Sequence, residues 1–296
     1  MKIDCVFSGG GVKGYAFLGA LRSMEEKQLQ LERVAGTSAG AIIASLIAAS
    51  YRTDEINVLL NELDLQQFLD APQLTKILPF SKWLFLYYQM GLYKGNKFET
   101  WLYTKLAQKG IYTFGDLKEG YLKVVVSDLT LGKLVVIPDD LKRIYNIDPG
   151  KFLVSKAVRM SAGFPYFFMP VKLPWKNKEK SLIVDGGLLS NFPLWIFENR
   201  DGSNKRPILG VKLSSSVEKN NDRKISNAFD MFHALFSTMK LAHDARYVSK
   251  ANKNNIIFIP IEDVDTVNME IARETKQHLI QLGKQSTDEF LKYWPS

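Results

Sequence analysis

Three short stretches of this chain carry residues that could do covalent chemistry together. Ser38 lies in Gly36-Thr37-Ser38-Ala39-Gly40, which has the G-x-S-x-G form of a nucleophile elbow. A serine on a sharp strand-to-helix turn projects its hydroxyl above a sheet, and flanking glycines let the backbone fold tightly there. The following helix aims backbone N–H groups and its positive end at the same spot. Gly9-Gly10-Gly11-Val12-Lys13-Gly14 can turn successive N–H groups into one concavity that suits an anion. For an acyl hydrolase that anion is the tetrahedral oxyanion, and each donor contributes a few kcal/mol. Asp185-Gly186-Gly187 follows an apolar run, so its carboxylate is expected at a strand end, where open α/β sheets bind ligands.

Each stretch has a plainer reading. The pentapeptide occurs by chance in chains of this length, and an Asp-Gly pair after a strand is an ordinary turn. Gly9, Gly11 and Gly14 also satisfy the dinucleotide fingerprint G-x-G-x-x-G. That fingerprint wants an acid at the end of the second strand, whereas Glu32 stands at its beginning and the strand ends in the serine elbow. Lys13 is either a helix-start cation or a contact for a phosphate head group.

The elements that must position these residues follow from apolar patterning. Strands are expected at Ile3–Phe7, Leu31–Ala35, Leu122–Ser127, Leu134–Ile137, Leu182–Val184, Ile208–Leu213 and Ile256–Ile259. Helices are expected at Gly14–Gln28, Ala41–Ser50, Thr53–Leu63, Asn96–Gln108, Lys151–Met160, Ser226–Lys250 and Met269–Lys292. Strand, helix, strand, helix within the first fifty residues means a βαβ unit and a parallel sheet. The fold class is therefore α/β, a three-layer α/β/α arrangement around a mainly parallel sheet. Residues 1–296 read as a single domain, with the motifs in about 3–214 and C-terminal helices that carry none.

The base that would serve Ser38 is open on residue types alone. His233, His243 and His278 are the histidines; none has a Gly-flanked, turn-like setting, and the first two lie within one long helical stretch. Only one strand precedes the strand that leads into the elbow, unlike the usual α/β-hydrolase order. Asp185 acting directly is then the better candidate, provided burial or polarisation raises its pKa.

Of the 296 residues, 46% are hydrophobic and 24% charged, an ordinary globular balance. The net charge of +8 favours an anionic partner, but the basic residues are dispersed and no nucleic-acid motif accompanies them. The single cysteine, Cys5, excludes an internal disulfide and a multi-cysteine metal site. The most apolar window, Ala39 to Ser50, is too short to span a bilayer. These features suggest a cytoplasmic protein, peripheral at membranes at most.

Taken together and in this order, the three stretches resemble the patatin-like phospholipase family. Its members have a G-G-G-x-[KR]-G loop, a G-x-S-x-G elbow and a D-G-[GA] block. Ser161-Ala162-Gly163-Phe164-Pro165 and Pro170 also resemble that family's small-residue, proline-containing segment, and Asn191 and Pro193 fall where it often has Asn-x-Pro after D-G-G. The resemblance implies Ser38 as nucleophile, Asp185 as base, an oxyanion hole from Gly9, Gly10 and Gly11, and no metal or cofactor. It implies hydrolysis of fatty-acyl esters of phospholipids or lysophospholipids through an acyl-enzyme. An acyltransferase or a catalytically silent lipid-binding module are the alternatives. Between Lys76 and Phe98 the chain is rich in aromatics, among them Phe80, Trp83, Phe85, Tyr87, Tyr88 and Tyr93, interleaved with lysines. Such a stretch is either a helix packed on the core or a cap lining an acyl channel at the membrane surface. Trp83, Phe85, Phe164 and Phe167 are the expected substrate contacts. Oligomeric state is not legible.

Overall fold

A computed structural model of the chain describes residues 1–62, 65–71, 86–176, 179–199, 204–214, 225–248, 253–261 and 271–294. The first unit runs β1 (Lys2–Phe7), α1 (Ala16–Glu26), β2 (Gln30–Thr37) and α2 (Ala39–Ala48). Then come α3 (Thr53–Asn61), β3 (Gly91–Tyr93), α4 (Asn96–Ala107), β4 (Leu122–Asp128), β5 (Lys133–Ile137), α5 (Leu141–Tyr145) and α6 (Val154–Ser161). The chain continues with β6 (Tyr166–Phe168), β7 (Val171–Pro174), β8 (Lys180–Asp185), β9 (Ile208–Ser214), α7 (Ala228–Val248), β10 (Ile256–Pro260) and α8 (Arg273–Leu291).

The main sheet has the order β10-β9-β1-β2-β4-β8-β7, with β5 also on β4. From β10 to β4 every neighbour pair is parallel. β5, β8 and β7 join antiparallel. The parallel strands are mainly apolar because both faces of the sheet are covered over most of their length. Alternation along β1 divides them: Ile3, Cys5 and Phe7 enter the larger core with α1, α2 and α6. Val6 enters a smaller one, covered by Phe192, Leu194, Ile196 and Phe197. On that second face Asp4 is buried and accepts from Arg33 at 2.5 Å and Arg206 at 3.1 Å. α8 packs lengthwise on α1, where an added Cβ at Gly19 or Gly283 would overlap the partner helix backbone.

One topological detail positions the chemistry. Along a single edge of β4, β2 pairs with residues 122–125 and β8 takes over at residues 126–128. Thr37 faces Val125 and Asp185 faces Val126. β2 running one way and β8 running the other therefore meet head to head, and their last residues are neighbours.

The periodic elements are where patterning put them, with ends shifted by a few residues. The helix expected from Gly14 opens as a 3-10 turn, Gly11–Tyr15, before α1. The helix expected from Lys151 starts at Val154, because Pro149–Lys151 is a separate turn capped by Asp148. Short elements without a period, β3, β6, β7 and α5, have no counterpart in the expectations. The aromatic stretch is not one helix. Within its described part, helical residues 86–89 end at Met90 (φ 57°), Tyr93 belongs to β3, and Phe98 is buried on α4. Arg159, 2% exposed, stitches β3 to the segment after β6 by donating to the carbonyls of Lys94 and Met169, at 2.6 and 2.9 Å. Phe80, Trp83 and Phe85 lie outside the described residues.

Candidate active site

Ser38 sits between β2 and α2 with φ 54° and ψ −121°. That conformation costs a non-glycine residue on the order of 1–3 kcal/mol and persists only where its surroundings impose it. Here they do. The Ser38 N–H donates to Ser161 Oγ at 2.9 Å, and Ser161 Oγ in turn donates to the Val125 carbonyl at 2.7 Å. The Thr37 hydroxyl donates to the Ser190 carbonyl at 3.1 Å. Two glycines make the turn possible: a Cβ on Gly36 would lie 2.3 Å from the Gly40 backbone, and one on Gly40 would lie 2.3 Å from the Phe7 carbonyl oxygen. Within residues 34–41 only Ser38 is not fully buried.

Asp185 ends β8 directly beside it. Its N–H donates to the Gly163 carbonyl at 3.0 Å, and its Oδ1 accepts from the Gly187 N–H at 2.7 Å. The Ser38 side chain is near enough to the carboxylate to favour its charged form. Burial at 4% exposure pushes its pKa up to about 6, while Gly187, Ser38 and the Lys240 ammonium pull it back. A carboxylate adjusted in this way can accept a proton near neutral pH. The same burial holds Lys240 below the usual lysine range, against the nearby Asp185 and Asp244 that favour its charge.

The glycine loop closes the site from the β1 side. A Cβ on Gly9 would lie 3.2 Å from Ser38 Cβ, so the loop rests on the serine. The Gly9 N–H, however, donates to the Asn191 carbonyl at 2.9 Å. The expectation of three oxyanion donors is corrected for Gly9, whose hydrogen bond is already made. Among the described residues the N–H groups of Gly10, Gly11 and Ala39 have no such acceptor. Lys13 is held by the Ile261 carbonyl at 3.3 Å.

The expected substrate contacts separate. Phe164 follows Gly163, which touches Asp185, and its ring meets Phe232, His233 and Phe236 on α7 at centroid distances of 6.2, 5.9 and 4.8 Å. Phe167 turns instead to Tyr93 and Phe168, at 4.9 and 5.0 Å, on the small β3-β6 sheet. Trp83 and Phe85 are not among the described residues. Sequence reasoning missed Ser161 as the prop of the elbow. It also missed Lys212, Lys240 and Asp244, which lie on β9 and α7 beyond every motif. A lysine inside the apolar run of β9 was the one signal that could have flagged them. Among the described residues no group of three or more His, Cys, Asp or Glu side chains could hold a metal ion.

The chain is similar to several known proteins. The pattern of the patatin-like phospholipase family matches residues 5–198. Uncharacterized protein YqhO of Bacillus subtilis is 47% identical over 99% of both chains. A probable lipid hydrolase, 463L, of Invertebrate iridescent virus 6 is 25% identical over 73% of this chain and 71% of its own. Among solved structures, VipD from Legionella pneumophila superposes with a TM-score of 0.60 at 20% identity, covering 99% of this chain and 67% of that one; this likeness shows the fold. With the family pattern spanning more than half of its length, the chain belongs to the patatin-like phospholipase family of lipid hydrolases.

Proposed function

We propose that this chain hydrolyses fatty-acyl esters of phospholipids or lysophospholipids through Ser38 and Asp185, as one catalytic unit over residues 1–296. The observation that carries the reading is the placement of Ser38, directly after Thr37 opposite Val125, beside the buried Asp185 carboxylate opposite Val126. In the first half-reaction Ser38 Oγ attacks the ester carbonyl while Asp185 takes its proton. The developing oxyanion meets the N–H groups of Gly10 and Gly11, with α2's positive end behind Ser38. Collapse expels the alcohol, which leaves with the proton from Asp185, and the acyl group stays on Ser38. Water then attacks the acyl carbon, gives its proton to Asp185, and the released Ser38 Oγ recovers a proton as the fatty acid departs.

Contact with a lipid surface belongs to the same reading. Met231, Leu235 and Met239 recur four apart on α7 and are each about half exposed, at 52%, 56% and 44%. They form an apolar stripe on the helix that also carries Phe232 and Phe236 toward Phe164, and the net charge of +8 suits an anionic bilayer. Among the described residues no helix is long and apolar enough to cross a membrane. The deciding experiment is mass spectrometry of products from a mixed phospholipid pool, together with fluorophosphonate labelling. Wild type should release fatty acid and carry the label on Ser38, and Ser38→Ala should do neither. Labelling at any other residue, or release by Ser38→Ala, would overturn the assignment.

A further inference from the structure

Behind the glycine loop lies a buried polar chain that the mechanism above does not use. Asp244 on α7 is 5% exposed, and its Oδ2 takes both the Lys212 ammonium of β9 and the Asn191 Nδ2 group, the latter at 3.1 Å. Lys212 is itself nearly buried, 12% exposed along its side chain. Asn191 is 2% exposed, and its backbone carbonyl is the acceptor that holds Gly9.

The side-chain amide of Asn191 has a donor end and an acceptor end, and its surroundings decide which faces where. A carboxylate only accepts, so Asp244 takes the Nδ2 end. The opposite end, Oδ1, is thereby turned toward the dyad. A Cβ on Gly9 would lie 2.3 Å from this oxygen and 3.2 Å from Ser38 Cβ. A Cβ on Gly187 would lie 3.3 Å from it and 2.9 Å from Asp185 Oδ1. Asn191 Oδ1 thus lies between the serine loop and the aspartate, and it is a buried acceptor with no hydrogen-bond partner among the described residues. Buried polar atoms without partners are uncommon and ask for an occupant with a donor to give.

We propose that Asn191 Oδ1 holds the water that hydrolyses the acyl-enzyme, and that Asp244, paired with Lys212, is the positioning residue that turns Asn191 to receive it. The proposal rests on the Ser38-Asp185 reading. A water donating one hydrogen to Asp185 and the other to Asn191 Oδ1 has both protons engaged and a lone pair left for the acyl carbon. As its oxygen bonds to that carbon, the proton facing Asp185 transfers to the carboxylate. The C–Oγ bond then breaks, and Ser38 takes the proton back. Acylation has no need of this water, so Asn191 and Asp244 act on the second half-reaction alone.

The test separates the halves with a p-nitrophenyl fatty-acyl ester. With enzyme in excess, p-nitrophenol release in a single turnover reports acylation; steady-state turnover reports whichever half is slower. Asn191→Ala and Asp244→Asn should acylate within about threefold of wild type but turn over at least about tenfold more slowly, the scale of one lost hydrogen bond to a reacting group. Intact-mass spectra of quenched reactions should show the acyl group accumulating on Ser38. Because Asp244→Asn leaves Lys212 uncompensated, the pair replacement Asp244→Leu with Lys212→Met tests the same point without a stranded charge. It should show the same split with a thermal midpoint near wild type. Equal loss in both half-reactions, or unchanged steady-state turnover in Asn191→Ala, would overturn the proposal while leaving the dyad intact. Absence of any acyl adduct on wild-type Ser38 would overturn the dyad and the proposal together.

Discussion

Two regions reach the same serine, and they do it by different physics. The first, β1 to α2, uses backbone: a strained φ, two glycines pressed against carbonyls, and the N–H groups of a loop. The second, Ser181–Asn191 with α7, uses side chains: a buried carboxylate, an amide set by an ion pair, and aromatic rings. Backbone geometry is intolerant of change but leaves a local sequence signature. Side-chain networks tolerate conservative replacement one member at a time and leave almost none. The first region should therefore break as a fold and the second as a rate.

The largest effect tests the serine that joins them. Ser38→Ala should lower ester turnover by at least about 10⁴-fold without lowering the thermal midpoint, as loss of a nucleophile does elsewhere; alanine keeps the Cβ and with it the same backbone strain at φ 54°. Next, Gly40→Ala should cost about 3 kcal/mol, because its Cβ would press on the Phe7 carbonyl and overpacking against backbone relaxes poorly. Differential scanning calorimetry would show the loss, and an unchanged midpoint would mean the elbow is softer than its contacts imply. Ser161→Ala sits between the regions: it strands the Ser38 N–H and the Val125 carbonyl, and should cost about 2 kcal/mol while slowing both half-reactions.

On the side-chain region, pH is the sharper probe. The Asp185 carboxyl, pushed up to about 6 by burial, must be ionised to take the serine's proton, so kcat/KM should fall about tenfold per pH unit below about 6 and level off above it. Stability should move the other way. A folded pKa above the unfolded value means the folded state binds the extra proton between about 4 and 6, so stability declines as pH rises through that window. Asp185→Asn should abolish both dependences. The smallest effect is expected at the surface stripe: Leu235→Ser with Met239→Ser should lower hydrolysis of anionic vesicles a few fold and leave a soluble short-chain ester unaffected. Equal loss on both substrates would remove α7 from the membrane reading.

This division also explains what the sequence disclosed. β1, β2, β4 and β9 are long buried runs, and the elbow and glycine loop are consecutive residues, so both were legible from local pattern. That Gly9 spends its N–H on Asn191 was not, because the partner lies far along the chain. Nor was the break of the aromatic stretch into β3 and α4. It depends on Arg159 and on Asp70, whose carboxylate accepts from the N–H groups of Gly95, Asn96 and Lys97, at 2.5, 2.7 and 3.1 Å. Asp244 and Lys212 come from different elements and meet only once β9 and α7 are in place.

The head-to-head meeting of β2 and β8 on one edge of β4 bears on when the chain becomes dangerous to its surroundings. A chain emerging residue by residue presents Ser38 early, yet the carboxylate proposed to activate it arrives nearly half the sequence later, on a strand that docks antiparallel. Until β8 seats beside Val126, the elbow is a serine without its proposed base. On the proposed mechanism an unfinished or clipped product carries the nucleophile but not the means to use it, and lipid is exposed to hydrolysis only by chains that have closed their sheet.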